Sequence, residues 1–157
     1  MISWRITKRR HSGRHEILGG EGAKQGGRWN RSGLPLVYTS ENSSLAILEN
    51  LVQVAERNLP KSLVAVRITI PHGARITTIS MRELPATWRE IDNPECIAIG
   101  SNWIESREGL VLRVPSAANS LEENVLLNPL HSDIDKCEVS EPVPIVFDPR
   151  VIGLVAT

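Results

Sequence analysis

Strand patterns crowd this sequence without helices to separate them, and that limits the fold more than any other feature. Leu63-Val-Ala-Val-Arg-Ile-Thr-Ile70 alternates and is rich in β-branched residues, the pattern of a half-buried strand. Ser3–Thr7, Leu36–Ser40, Arg75–Ile79, Leu110–Val114, the start of Asn124–His131 and Val143–Phe147 read the same way. Pro115, Pro129 and Asp148-Pro149 act as stops, because proline lacks the N–H that a ladder needs. One long helical pattern stands against them. It opens after Asn42, Ser43 and Ser44, which can cap it, and runs to about Asn58 before Pro60. Leu45, Leu48, Leu51, Val52 and Ala55 form its apolar stripe. Pro85–Arg107 is mixed, with a short helix expected around Trp88. Strands that outnumber helices and do not alternate with them indicate an α+β fold, not a doubly wound sheet.

The 157 residues suit one domain, and no linker, repeat or low-complexity stretch divides 1–157. His11–Gly33 contains seven glycines, at 13, 19, 20, 22, 26, 27 and 33, and reads as a loop. A loop that long inside a compact domain is usually functional or disordered.

Charge and cysteine usage exclude several classes. Eighteen Lys and Arg balance 18 Asp and Glu, so no broad field attracts nucleic acid. The apolar runs are too short to span a bilayer, and Met1–Arg10 lacks the apolar core of a signal peptide, so the cytoplasm is expected. Cys96 and Cys137 have no CxxC spacing and are expected as unpaired thiols. His11, His15, His72 and His131 follow no ligand pattern, and Gly13 weakens a helical pair of the first two, so no metal is expected.

Four places can carry chemistry. In Gly26-Gly-Arg-Trp-Asn30 two glycines let the backbone approach a ligand, and Arg28 offers a planar fork to phosphate oxygens; a surface loop with an incidental arginine reads equally well. Glu49 borders the helix stripe, where a carboxylate can stabilise the cation formed as a glycosidic bond breaks. Glu56 lies on nearly the same side and is equally good by this argument, and either is also an ordinary helix glutamate. Tyr38, the only tyrosine, can stack on a flat heterocycle or simply be half-buried in its strand. Ser116, after the Leu110–Val114 strand, can bind ribose or phosphate or merely end a turn; no GxSxG elbow supports it as a nucleophile.

The order of these pieces is more informative than any one. Trp4-Arg5, Gly26-Gly-Arg-Trp-Asn30, Val37-Tyr-Thr-Ser40, Leu45-Ala-Ile-Leu-Glu49, Val114-Pro-Ser116 and Asn124-Val-Leu-Leu-Asn-Pro-Leu-His131, with Gly100-Ser-Asn-Trp103 and Phe147-Asp-Pro149, closely resemble the RES domain. The resemblance implies an α+β fold similar to ADP-ribosyltransferases of the diphtheria-toxin type. It implies a growth-arresting toxin that degrades NAD⁺ by hydrolysis or phosphorolysis, with NAD⁺ as substrate, inorganic phosphate as a possible second substrate, and no cofactor. The implied partner is an Xre-type helix-turn-helix antitoxin, through which alone the toxin would meet DNA; the toxin can itself be oligomeric within that complex. Carried over residue by residue, Arg28, Tyr38, Glu49 and Ser116 match the family's catalytic set. Arg5, Gly27, Asn30 and Asn128 are expected at the substrate. Protein ADP-ribosylation and a non-enzymatic, partner-binding role are the alternatives.

Overall fold

The computed structural model describes residues 1–54 and 62–155. In chain order the described elements are β1 (Ile2–Lys8), α1 (Arg14–Gly19), β2 (Val37–Ser40), α2 (Ser43–Val54), β3 (Leu63–Thr69), β4 (Ile76–Thr78), α3 (Pro94–Ser106), β5 (Val111–Pro115), β6 (Glu123–Leu127), β7 (Glu138–Val139), β8 (Val143–Pro144) and α4 (Pro149–Val155). The strands form one mixed sheet in the order β4-β5-β6-β2-β1-β3-β7, with β8 also pairing β3. Among the described residues only the β4–β5 pair is parallel; the other pairings are antiparallel. This is the α+β class that the strand-heavy pattern indicates.

Both faces of the sheet are buried. Side chains alternate between faces along a strand, so Val111, Val125 and Leu127 join Val37, Val66 and Ile68 in one cluster, capped by Ile17 and Leu18 of α1. Leu112, Val114 and Leu126 point the other way, into a cluster with Trp29, Trp88, and Cys96 and Ile104 of α3. A third cluster sets Ala46 and Ile47 of α2 against Ile6 and Trp4 of β1. That last contact fixes where α2 lies, and with it Glu49.

The helix α2 starts as its sequence indicates. Asn42 Oδ1 accepts the Leu45 N–H at 2.8 Å, an N-cap bond. Its buried face is not the expected stripe. Leu45 and Ala46 are buried, whereas Leu48 is 38% and Val52 54% exposed. The helix carries apolar residues on two arcs, and docking onto β1 selects the arc through Leu45 and Ala46. Ala55, Glu56, Asn58 and Pro60 lie outside the described residues.

Three further expectations need correction. The glycine-rich stretch His11–Gly33 is not all loop, because Ile17 and Leu18 find the core and hold α1 together. Gly20 ends α1 at φ 63°, where a Cβ would come within 2.7 Å of the Leu36 nitrogen. Trp88 sits in a turn, and the helix of that region starts later. Asn93 Oδ1 accepts the N–H groups of Glu95 and Cys96 at 3.1 Å each, and Pro94 takes the first helical position. Val143–Phe147 contributes only the two residues of β8, on the edge of β3, and Val146 is 93% exposed. Pro149 then opens α4 rather than simply ending a strand.

Candidate active site

A cleft of about 130 Å³ opens between α2 and the strands β1, β2 and β6. Arg5, Tyr38, Ser40, Glu49 and Asn124 are among its walls. Arg5 reaches it from β1, and its Nη1 donates to the Tyr38 carbonyl at 3.0 Å. Its Nε is buried with no hydrogen-bond partner among the described residues. Burial lowers the guanidinium pKa, yet an arginine keeps its proton in such a site, so the cleft holds a cation with donor capacity in reserve.

Glu49 faces the cleft from α2. Its Oε1 accepts two hydrogen bonds, from Ser116 Oγ at 2.7 Å and from Asn124 Nδ2 at 2.6 Å. Ser116 follows β5 and is fully buried. Its Oγ also accepts the N–H groups of Ala118 and Asn119, at 3.1 and 3.0 Å. With both lone pairs engaged, its single proton points at Glu49. Ser116 therefore touches Glu49 and is held away from attack on anything. Asn124 Oδ1 in turn accepts from Ser40 Oγ at 2.8 Å.

Tyr38 lines the cleft and gives its hydroxyl to the loop behind. The hydroxyl donates to Asn30 Oδ1 at 2.6 Å and accepts the Trp29 N–H at 3.0 Å. Burial pushes its pKa up to about 12, against smaller opposing effects of the Trp29 N–H and Arg28, so it holds its proton near neutrality. Gly27 packs on that hydroxyl, and a Cβ there would lie 2.7 Å from it. Asn30 is fully buried, and its Nδ2 donates to the carbonyls of Ala23 and Leu34 at 2.7 and 2.9 Å. Arg28 is half-buried and does not line the cleft. Its Nη1 donates to the carbonyls of Trp88 and Glu90 at 2.6 and 3.0 Å. Asn128 is also buried outside the cleft, donating to the Ile104 carbonyl at 3.0 Å and accepting the Leu130 N–H at 2.9 Å.

The eight residues singled out in the sequence thus fall into three groups. Arg5, Tyr38 and Glu49 meet in the cleft, with Ser116 one hydrogen bond behind Glu49. Gly27, Arg28 and Asn30 form the loop that buttresses Tyr38, and Asn128 stays apart. Ser40 and Asn124 are absent from that set, although both touch the site. They are direct partners in the β2–β6 register, a pairing visible only once those strands are known to be neighbours. Among the described residues no group of three or more His, Cys, Asp or Glu is placed to hold a metal ion, and no helix is long and apolar enough to cross a membrane.

Comparison with known proteins places this geometry in context. A protein named Toxin Res from Yersinia enterocolitica is 34% identical over 154 residues, covering 96% of this chain and 99% of its own length. A protein named Prs ADP-ribosylating toxin from Sphingobium is 33% identical over 153 residues, covering 95% of each chain. Among solved structures, the M. tuberculosis MbcT-MbcA toxin-antitoxin complex contains a chain similar in fold, with TM-score 0.75 and 16% identity over 99% of this chain and 89% of that one. The RES domain family model matches residues 2–148, and the chain belongs to that family.

Proposed function

We propose that the chain is the toxin of a toxin–antitoxin pair and that it cleaves the nicotinamide N-glycosidic bond of NAD⁺. The observation that carries the reading is Glu49, a carboxylate held by two donors on one oxygen, in the same cleft as the Arg5 guanidinium. Breaking this bond sends its electron pair to the nicotinamide nitrogen, so a cationic ring leaves neutral and the ribose becomes positive. Little acid catalysis is needed, and a fixed negative charge beside the ribose lowers the barrier. Glu49 supplies that charge. Water attacks the anomeric carbon and loses a proton, giving ADP-ribose; inorganic phosphate in its place gives a phosphorylated ADP-ribose. The Tyr38 ring packs against the nicotinamide.

Arg5 holds the pyrophosphate with its guanidinium charge. A dinucleotide is larger than this cleft and runs out past Tyr38 towards Arg28, whose Nε and Nη2 have no hydrogen bond among the described residues. Ser116 orients Glu49. Gly27 and Asn30 fix Tyr38, and Asn128 fixes the turn after β6. No cofactor takes part.

Such an enzyme needs restraint in the cytoplasm of its own host. An Xre-type helix-turn-helix antitoxin that covers the cleft supplies it, with DNA bound by the partner and any oligomer formed within the complex. The relatives' names and the toxin–antitoxin neighbour support this reading. Expression in a bacterial host tests it. Alone, the chain should arrest growth and lower cellular NAD⁺; with its antitoxin it should do neither, and the two should copurify. Normal growth and normal NAD⁺ with abundant soluble protein would refute the reading and favour a non-enzymatic role.

A second reading, transfer of ADP-ribose to a protein, is favoured by the name of the Sphingobium relative. Label carried from NAD⁺ into a protein band, with little free ADP-ribose, would select it.

A further inference from the structure

Both hydrogen bonds to Glu49 end on the same oxygen, Oε1, and neither donor acts alone. An asparagine amide has a donor end and an acceptor end of nearly the same shape. At 2.6 Å from Oε1 only the donor end is tolerable, since a carbonyl oxygen there would oppose a carboxylate oxygen. The acceptor end of Asn124 then needs a donor, and Ser40 Oγ provides one at 2.8 Å. Ser40 lies opposite Asn124 across β2 and β6, and Asn124 lies opposite Val114 across β6 and β5. The sheet thus brings a relay, Ser40 O–H to Asn124 carbonyl and Asn124 N–H to Glu49, alongside the Ser116 hydroxyl. Oε2 carries no hydrogen bond among the described residues and remains for substrate.

We infer that Asn124, with its amide orientation set by Ser40, is a positioning residue that fixes the plane and the free oxygen of the Glu49 carboxylate for catalysis. The inference rests on the proposed NAD⁺-cleaving role of Glu49. Three glutamate torsions separate the carboxylate from the helix, and two donors, one from β6 and one from just after β5, remove that freedom before substrate binds. Among the described residues, the charged and titratable groups that line the cleft with Glu49 are Arg5 of β1 and Tyr38 of β2; Asn50 and Gln53, its cleft neighbours on α2, are neutral. Arg113 sits in the neighbouring row of the sheet, opposite Val125, so its side chain leaves on the other face, where it pairs with Glu41 and Glu123.

Replacing Asn124 tests the inference. Asn124→Asp keeps the shape but sets an acceptor, and a second negative charge, against Oε1. A crystal structure with no substrate present should show the Glu49 carboxylate turned out of its wild-type plane, and kcat should fall with KM nearly unchanged. Asn124→Ala should lower kcat about 10-fold with KM nearly unchanged. Ser40→Ala should lower kcat in the same way, and Ser40→Thr, which keeps the hydroxyl, should restore it. An unmoved Glu49 carboxylate in folded Asn124→Asp, or in Asn124→Ala should the former not fold, would overturn the inference. Turnover of NAD⁺ by the wild type is read separately, so its absence would count against the proposed function and not against the clamp.

Discussion

Replacing Glu49 by glutamine removes a charge and almost nothing else. The amide oxygen so introduced can still accept from Ser116 Oγ and Asn124 Nδ2, and the amide nitrogen takes the place of Oε2, which carries no hydrogen bond among the described residues. Hydrogen bonds to a neutral acceptor are weaker than those to a carboxylate, so the fold should lose about 1 kcal/mol. For a chain of this size that is a fall in melting temperature of roughly 2–4 °C. The loss at the transition state is larger. A unit charge about 4 Å from a developing cation, at an effective dielectric of about 20, contributes about 4 kcal/mol. The amide dipole recovers part of it, which leaves a drop in kcat of about 100-fold or more. NAD⁺ consumption and a thermal melt on the same preparation measure both quantities. Near-normal turnover by a folded Glu49→Gln protein would refute the role assigned to this carboxylate. An equal loss in Glu56→Gln would show that the wrong glutamate had been chosen.

The single tyrosine can be followed alone by its near-ultraviolet absorbance, and in the folded protein it should ionise near pH 12. Its folded pKa lies above the unfolded value of about 10, so its contribution to stability is complete below about pH 10 and is lost as pH rises through about 12; a midpoint near 10 in folded protein would mean an exposed hydroxyl. Gly100→Ala should destabilise strongly, by about 1–3 kcal/mol or more, because a Cβ would lie 1.9 Å from the Trp29 carbonyl oxygen; an unchanged melting temperature would separate α3 from the Trp29 loop. Arg28→Lys keeps the charge but loses a guanidinium whose Nη1 holds two carbonyls while Nε and Nη2 remain for phosphate, so KM for NAD⁺ should rise, and unchanged kinetics would remove Arg28 from substrate binding.

The sequence revealed what depends on local pattern. The alternation in Leu63–Ile70 specifies β3, and Asn42 starts α2 where its capping chemistry says it should. Elements held by distant contacts were less legible. Ile17 and Leu18 make a helix of a glycine-rich stretch only because the sheet receives them. The helix α3 had a readable start in Asn93-Pro94, but Gly100 in its middle weakens the pattern, and that glycine is needed for contact with Trp29. Within the site the residue order singled out Arg5, Tyr38, Glu49 and Ser116, which do come together. It did not separate substrate-facing residues from supporting ones. Asn30 has all its hydrogen-bonding groups engaged inside the protein, and Ser116 acts on Glu49; those facts depend on strand pairing and loop closure, which no single sequence displays.

Whether this cleft breaks the bond between nicotinamide and ribose is decided by product analysis. Purified protein is incubated with NAD⁺, with and without inorganic phosphate, and the products are identified by NMR and mass spectrometry. Wild-type protein should release free nicotinamide, together with ADP-ribose or, if phosphate is the acceptor, a phosphorylated ADP-ribose, and Glu49→Gln should release almost none of either. Intact NAD⁺ after prolonged incubation with folded wild-type protein, or equal nicotinamide release by Glu49→Gln, would contradict it.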